Sequence, residues 1–432
     1  MSKYVQDIRG KVNLEITNKF ATQIGALIGN YIGAGKSVMV GRDSNTPSQM
    51  IKRSLSTGLM SAGIKVIDFG VAPIPVIHYG MNRYGAKVMV TISESHLRPE
   101  DIVIKIFSPH EIPLEQRHIE KVPWNQIVRL KYVQDYTDKY ISSVINHITS
   151  DLIESKGFRI VVDCEKGLKN PIIPKVLNKM GCETVSVGCK EIKERNFPEP
   201  SPQRLSLVSD ITTSIGADMG VVLDNDHDGV EFIDEKGNII RHQTILAIFA
   251  KFLLEENPGN NVVSSVVASK VLDKIVSNYN GKFIKTSVNS VLTETVNNKA
   301  IFGGDEPGMY IFPQFQKCFD AVYSVSKMLE ILAAKNTTLS CLAAEIPEYS
   351  RSVFTVNCEQ EKKMKVLDAI KTYYESKSYL STVDGVRVEL NDYFILIRPS
   401  RFEPLIRVYI ESKSSESLQR LTKSVTNIIE SV

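Results

Sequence analysis

The sequence predicts an α/β protein of three similar mixed-sheet α/β domains followed by a smaller C-terminal α+β domain. Three observations carry this. The chain has 432 residues, far more than one hydrophobic core encloses. Short β-type runs alternate with amphipathic helical segments, which argues for sheets covered by helices. From about Ser352 the texture changes to short strands with a single helix. We place the domains at residues 1–148, 149–249, 250–350 and 351–432.

Composition narrows the function classes. Hydrophobic residues make up 43% and charged residues 23%, ordinary for a globular protein, and the net charge of +3 gives no reason to expect nucleic acid or a membrane surface. The most apolar stretch, Ile245 to Leu254, contains Lys251 and is too short to span a bilayer. The segment Met1-Ser-Lys-Tyr-Val-Gln-Asp7 has no apolar signal core. Six cysteines without metal-ligand spacing read as reduced thiols, so a cytoplasmic location is expected.

The first domain opens on Asp7-Ile8-Arg9-Gly10, which by itself is no more than an early turn. Ser37 to Val40 reads as a strand and Gly41-Arg42-Asp43 as a polar loop. Pro47 suits a first helical turn, and Ile51, Leu55, Leu59 and Ala62 form one apolar helix face. Gly63 ends that helix and Lys65 to Phe69 resumes a strand. Val88 to Ile92 then feeds Ser93-Glu94-Ser95-His96-Leu97-Arg98-Pro99-Glu100, with Lys105 following. A hydroxyl, an imidazole and an arginine stand at a strand end, where open α/β sheets place their sites. Ser95 is therefore a candidate nucleophile or phosphate carrier. A plain polar loop explains the local pattern equally well.

The second domain repeats the pattern. Phe158 to Val162 is a strand, Asp163 to Gly167 a loop, Pro174 to Met180 a helix and Gly181 to Val187 a strand. A proline-rich segment, Asn196 to Pro202, and a helix, Arg204 to Ile215, lead to Asp224-Asn225-Asp226-His227-Asp228-Gly229. Carboxylates at alternate positions after the apolar run Met219 to Leu223 can converge on one point, and hard divalent cations take such oxygens. Asp224 to Glu235 also matches a calcium-binding helix–loop–helix pattern. A β-type lead-in and an apparent hairpin, Val230 to Ile240, favour a strand-end metal loop instead. A solvated acidic turn is the plain alternative, and His227 reads as solvated beside it.

The third domain reads as helix Ile245 to Leu254, strand Asn261 to Val267, helix Ala268 to Tyr279 and strand Phe283 to Thr286. The run Gly303-Gly304-Asp305-Glu306-Pro307-Gly308 follows. Its glycines suggest close backbone approach to a ligand, and its carboxylates can accept hydrogen bonds from sugar hydroxyls, although a tight turn also explains the glycines. Asp320 to Ala334 is an amphipathic helix. In the last domain, helix Glu361 to Glu375 precedes strand Tyr393 to Ile397, the loop Arg398-Pro399-Ser400-Arg401-Phe402-Glu403-Pro404 and strand Leu405 to Glu411. Guanidinium groups match phosphate oxygens bidentately, so this loop is a candidate phosphate clamp.

The order of these loops resembles the α-D-phosphohexomutase family over nearly the whole chain. Asp7-Ile8-Arg9-Gly10 corresponds to its early Gly-Ile-Arg-Gly and Gly41-Arg42-Asp43 to its Gly-Arg-Asp. Residues 93–100 with Ile104-Lys105 resemble its phosphoserine loop, Thr-Ala-Ser-His-Asn-Pro-Pro-Glu followed by Ile-Lys. Asp224, Asp226 and Asp228 match Asp-Gly-Asp-x-Asp-Arg. Residues 303–309 resemble Gly-Gly-Glu-x-Ser-Gly-His, and residues 398–404 resemble Arg-Pro-Ser-Gly-Thr-Glu-Pro. Departures stand at Gly229 (Arg in the pattern), Asp305 (Glu), Pro307 (Ser), Met309 (His), Thr295 (Lys), Arg401 (Gly) and Phe402 (Thr).

The resemblance implies four domains around a central cleft and an intramolecular phosphotransferase interconverting hexose 1- and 6-phosphates of mannose or glucose type. It implies a phosphorylated Ser95, with His96, Lys105 and Arg9 as catalytic partners. Mg²⁺ would be held by Asp224, Asp226, Asp228 and Ser95. Gly304, Asp305, Glu306, Arg398, Ser400 and Arg401 would bind substrate. The partner expected is a hexose phosphate, with neither nucleic acid nor membrane, in a monomer or homodimer. A phosphosugar-binding relative without turnover and a metal-dependent sugar phosphatase are the alternatives.

Overall fold

The computed structural model describes residues 4–95, 98, 100–115, 119–134, 136–163, 172–188, 201–375, 379–400 and 403–431. The expected site residues His96 and Arg401 lie outside the described residues, as do most of the loop after Val162 and most of the proline-rich segment before Pro202. The chain divides into two compact units, Met1–Arg241 with Pro307–Leu342, and His242–Glu306 with Ala343–Val432.

The first domain runs β1 (Tyr4–Lys11), α1 (Asn18–Ile32), β2 (Ser37–Arg42), α2 (Thr46–Ser61), β3 (Lys65–Val71), α3 (Ile74–Tyr84), β4 (Val88–Glu94), β5 (Asp101–Ser108) and β6 (Lys131–Tyr132). Its sheet has the order β1-β5-β4-β2-β3-β6. Strands β4, β2, β3 and β6 are parallel, and β5 is antiparallel to β4 and β1. Ile51, Leu55 and Leu59 of α2 are fully buried with the apolar strand residues, as their spacing requires. Helices α1 and α2 touch closely because Gly25 and Gly58 lack side chains. A Cβ on Gly58 would lie 2.0 Å from the Thr22 carbonyl oxygen.

After α4 (Tyr136–Asn146), the second domain comprises α5 (Ser150–Glu154), β7 (Arg159–Asp163), α6 (Ile172–Lys179), β8 (Glu183–Val187), α7 (Pro202–Ser214), β9 (Met219–Leu223), β10 (Val230–Asp234) and β11 (Ile239–Ile240). Its sheet order is β11-β10-β9-β7-β8. The acidic loop joins β9 to an antiparallel partner, β10, and the β10–β11 hairpin follows. A strand on each side rules out the calcium helix–loop–helix reading.

The chain then passes through α8 (His242–Glu256), β12 (Val262–Ser265), α9 (Lys270–Asn278), β13 (Phe283–Thr286), α10 (Val291–Asn297) and β14 (Phe302–Asp305), with β12 parallel to both β13 and β14. Next come β15 (Met309–Ile311), α11 (Ala321–Lys335) and α12 (Leu339–Ala344). Asp320 caps α11 by accepting from Tyr323 N. The last domain comprises β16 (Ser350–Asn357), α13 (Gln360–Tyr374), β17 (Tyr379–Ser381), β18 (Val386–Glu389), β19 (Tyr393–Pro399), β20 (Leu405–Ser412) and α14 (Ser415–Glu430). It forms an antiparallel sheet of order β16-β20-β19-β18-β17.

Several boundaries differ from the sequence reading: Asp7 to Gly10 lies within β1 rather than forming a turn, and Gly41 and Arg42 end β2 rather than opening a loop. Gly303 and Gly304 are strand residues of β14, Gly304 pairing with Ser264. A Cβ on Gly303 would meet Thr295 Oγ1 at 2.1 Å, so this glycine admits helix α10 to the sheet. Arg398 and Pro399 likewise complete β19 rather than opening a loop. The four described cysteines, Cys182, Cys318, Cys341 and Cys358, are free thiols. Among the described residues no helix is long and apolar enough to cross a membrane.

Candidate functional site

Neighbouring parallel strands β2 and β4 end side by side and then part. From β2 the chain crosses over α2 to β3 on one side, whereas β4 turns back into β5 on the other. Such a divergence leaves a crevice beyond the strand ends where α/β proteins bind ligands. Asp43 ties the two ends together. Its backbone N–H donates to the Ile92 carbonyl at 3.1 Å. Its carboxylate accepts from Asn45 N at 3.0 Å, Asn45 Nδ2 at 2.8 Å and Glu94 N at 2.8 Å. Burial raises the Asp43 carboxyl above the usual range, against the pull of these bonds.

Strand register decides what faces the crevice. Lys105 pairs with Asp7 on one side and Thr91 on the other, and Ser93 pairs with Val103. Alternation therefore sets Asp7, Arg9, Thr91, Ser93 and Lys105 on one face. Ser95, just past the strand, is buried, and its N–H donates to Asp101 O at 2.9 Å. Arg9 is partly exposed and pairs with Asp7 at 3.0 Å.

The acidic loop is a compact turn. Asp224 N donates to Gly229 O at 3.1 Å, and His227 N to Asp224 O at 3.2 Å. Asp224 Oδ1 accepts from Asp228 N at 3.0 Å. The loop carbonyls are held from two directions, Ile74 N donating to Asp226 O at 3.1 Å and Ala321 N to His227 O at 3.0 Å. His227 sits at φ +54°, unusual for a residue with a side chain, and is buried rather than solvated. Burial lowers its imidazole to about 4 despite Asp226 and Asp228, so it is neutral at pH 7. Gly229 fits the same tight turn, since a Cβ there would lie 3.0 Å from Asp224 Oδ2 and 3.3 Å from Pro307 O. Gly308, at φ +65°, lets its chain touch Val230, whose carbonyl oxygen a Cβ would approach to 2.2 Å.

Strands β4 and β5 meet the acidic loop at Asp226. Its Oδ2 accepts from Ser93 Oγ at 3.1 Å and Lys105 Nζ at 2.7 Å, and Lys105 also reaches Asp228 Oδ2 at 3.1 Å. Burial would lower the ammonium, but the charges of Asp226, Asp228 and Asp7 outweigh it and hold Lys105 well above the lysine range. Burial, then the neighbouring Asp228 and Asp226, push Asp224 well above the carboxylate range. Ser93 was not singled out from sequence, although alternation from Lys105 places it on the same face.

Three crowded carboxylates with one ammonium leave surplus negative charge, and all their donors are hard oxygens. That chemistry fits a divalent cation. As they stand, no three His, Cys, Asp or Glu side chains among the described residues converge as a ligand set. Lys105 lies where Asp226 and Asp228 would share an ion, so admitting one requires the ammonium to withdraw.

The second unit holds the other expected residues. Asp305 is buried, its Oδ1 accepting from Ser265 Oγ at 2.6 Å and Glu306 N at 2.9 Å. Burial pushes its carboxyl up to about 7. Glu306 is bound by Arg351, Nη1 to Oε1 at 2.7 Å, and by Gln243. Both carboxylates thus have protein partners. Arg398 Nε donates to Asp384 Oδ2 at 2.9 Å. Ser400 is buried, donating to Glu403 Oε2 at 3.3 Å, with its carbonyl held by Lys363 Nζ at 2.7 Å. Arg351, Gln243 and Asp384 carry no local motif and were not anticipated.

Four family models match the chain in sequence: phosphoglucomutase/phosphomannomutase alpha/beta/alpha domain I over residues 1–125, domain II over 138–237, domain III over 242–349, and the C-terminal domain over 355–428. A probable phosphoglucosamine mutase of Methanopyrus kandleri is 31% identical, covering 99% of this chain and 98% of that protein. A phosphoglucomutase/phosphomannomutase of Thermococcus kodakarensis is also 31% identical, covering 98% and 97%. Among solved structures, a phosphoglucomutase/phosphomannomutase family protein from Burkholderia thailandensis superposes with a TM-score of 0.86 at 23% identity. It covers 100% of this chain and 96% of that one, a likeness of fold.

Proposed function

The chain belongs to the α-D-phosphohexomutase family, whose members are intramolecular phosphotransferases, and we propose that it interconverts hexose 1-phosphate and hexose 6-phosphate of the mannose or glucose type. The observation that carries this reading is the convergence of Ser93 and Lys105 on Asp226, which fastens strands β4 and β5 on either side of the Ser95 segment to the acidic loop.

In the proposed cycle Ser95 enters phosphorylated. A sugar hydroxyl oxygen attacks the phosphorus, the bond from phosphorus to Ser95 Oγ breaks, and the hydroxyl proton is passed on so that Ser95 leaves as a neutral alcohol. The bisphosphorylated sugar then turns over and returns its other phosphate to Ser95, so the net change is an isomerisation. His96 is the proposed proton carrier. Lys105 and Arg9 supply positive charge around the transferred group. Asp224, Asp226 and Asp228 would hold Mg²⁺ together with a Ser95 phosphate oxygen. When bound, the ion neutralises charge on the phosphoryl group.

Gly304, Asp305 and Glu306 are assigned to the sugar, and Arg398, Ser400 and Arg401 to the phosphate that does not react. Contacts remote from the reacting atoms place the sugar and spend binding energy on orientation. With its carboxyl near 7, Asp305 can donate as well as accept a hydrogen bond. Names of relatives such as that from Methanopyrus kandleri favour glucosamine phosphate as a second substrate class to test.

The test is incubation with Mg²⁺, a trace of glucose 1,6-bisphosphate and, separately, the 1-phosphates of glucose, mannose and glucosamine, followed by phosphorus NMR. Appearance of a 6-phosphate without free phosphate is expected for at least one sugar. Release of free phosphate would identify a phosphatase, and saturable binding with neither product a binding protein.

A further inference from the structure

Gln316 is absorbed by none of the roles above, yet it lies between the two helix ends that hold the acidic loop. One end belongs to α3, whose Ile74 N–H donates to the Asp226 carbonyl. The other belongs to α11, whose Ala321 N–H donates to the His227 carbonyl. The two acceptors are consecutive peptide groups, so the helix ends together set the course of the loop through its middle. Asp226 and Asp228 flank His227, so that course also sets where their carboxylates point. Each helix N-terminus brings the positive end of its dipole to a loop of three carboxylates.

Gln316 is buried in the segment between β15 and α11, and its amide reaches both helices. Oε1 faces Nδ1 of His78, on α3, at 3.1 Å. Nε2 donates at 2.6 Å to Oδ2 of Asp320, the cap of α11, and at 3.4 Å to the Pro75 carbonyl in the first turn of α3. Asp320 Oδ1 accepts from Tyr323 N at 2.9 Å and from Tyr140 OH, on α4, at 2.7 Å. The polarity of this series is fixed. A carboxylate only accepts, so the amide nitrogen faces Asp320 and the amide oxygen faces His78. Burial lowers the His78 imidazole to about 4, so it is neutral at pH 7 and donates from Nδ1. Apolar side chains of equal volume would fill the space without fixing the helix ends, because hydrophobic contact is not directional.

We propose that Gln316 is a positioning residue for the acidic loop: by bridging the N-terminal turns of α3 and α11 it fixes the Asp226 and His227 carbonyls and thereby aims Asp226 and Asp228. That the aimed loop serves phosphoryl transfer rests on the mutase reading. The clamp itself does not.

The test uses the full-length wild type, Gln316→Met, Gln316→Glu and the double variant Gln316→Glu with Asp320→Asn. Gln316→Met keeps the volume and drops both polar ends. Gln316→Glu sets carboxylate against carboxylate. The double variant reverses the polarity, since an amide at 320 donates to a carboxylate at 316 while its oxygen still accepts from Tyr323 N and Tyr140 OH. Tyr140→Phe, a milder cut that removes one donor to Asp320, stands in for any single variant that does not fold.

Backbone amide exchange without Mg²⁺, followed by mass spectrometry, is the first readout. Exchange across residues 224–229 is expected to quicken about tenfold or more in the single variants, as loss of a buried hydrogen bond predicts, with peptides of α2 and β2 unchanged. The double variant should return it towards the wild-type rate. Unchanged exchange in the loop, or equal acceleration throughout the domain, would overturn the proposal and leave Gln316 as core packing.

Turnover with Mg²⁺ and glucose or mannose 1-phosphate is the second readout. Gln316→Met is expected to lower kcat about tenfold with little change in KM, and the double variant to recover part of it. A loosened loop in a protein whose wild type converts neither sugar would keep the clamp and sink the mutase reading. Undiminished turnover with a loosened loop would keep the mutase reading and sink Gln316 as a positioning residue.

Discussion

Lys105 Nζ lies 2.7 Å from Asp226 Oδ2 and 3.1 Å from Asp228 Oδ2, an ammonium buried between two carboxylates from a loop more than a hundred residues away in sequence. It neutralises part of the acidic loop while occupying the space a divalent cation would share. A divalent cation held by Asp226 and Asp228 would therefore compete with Lys105 for the same oxygens.

Removing the lysine should expose that competition. Lys105→Met leaves three carboxylates without a counter-charge, so without Mg²⁺ its folding free energy should fall by roughly 3 kcal/mol. Mg²⁺ should bind it more tightly than the wild type and restore most of the loss. Calorimetry and thermal melts with and without Mg²⁺ check both points. Unchanged Mg²⁺ affinity would separate Lys105 from the metal loop.

Asp226 is the hinge of the proposed site because Ser93, Lys105 and the Ile74 N–H all meet there. Asp226→Asn keeps the shape and removes the charge. Turnover should drop by roughly 100-fold or more, with the fold retained. Wild-type turnover in this variant would remove the acidic loop from the chemistry.

Gly303 makes a different kind of prediction. If it serves packing of α10, Gly303→Ala should cost about 1–3 kcal/mol because the new Cβ would sit 2.1 Å from Thr295 Oγ1. Thr295→Ala in the same chain removes that oxygen and should recover part of the loss. Chemical denaturation measures it. A substitution harmless to stability but damaging to KM would point instead to substrate approach.

Asp305 should make stability depend on pH. Its carboxyl is raised from 3.8 to about 7 by burial, so the folded form binds a proton more readily than the unfolded chain. The contribution is full below about pH 4 and is lost as pH rises through 7. Asp305→Asn keeps the Oδ1 acceptor used by Ser265 and Glu306 N but cannot ionise. Denaturation curves between pH 4 and 8 should therefore fall more steeply for the wild type than for the variant. Parallel curves would contradict the burial argument.

What the sequence disclosed and what it hid follow a physical line. Ile51, Leu55 and Leu59 announce α2 because helical periodicity is local, and all three are buried. The strand before the acidic loop and the hairpin after it were legible for the same reason. Partnerships between distant residues were not. Nothing near Glu306 signals Arg351, nothing near Arg398 signals Asp384, and nothing near His227 signals the α11 N-terminus whose Ala321 N–H donates to its carbonyl. The glycine run read as a close approach to ligand or as a tight turn, and neither reading reveals Thr295 against Gly303, a contact made through tertiary packing. Ser93 was within reach, since alternation from Lys105 across paired strands predicts its direction.

The central claim is that Ser95 carries the phosphoryl group. Its most direct test is peptide mass mapping of the purified protein after incubation with Mg²⁺ and glucose or mannose 1,6-bisphosphate. The account predicts one added phosphoryl group on Ser95 and none on Ser93. A folded protein in which Ser95 stays unmodified with both sugars, or in which Ser93 is modified in its place, would contradict it.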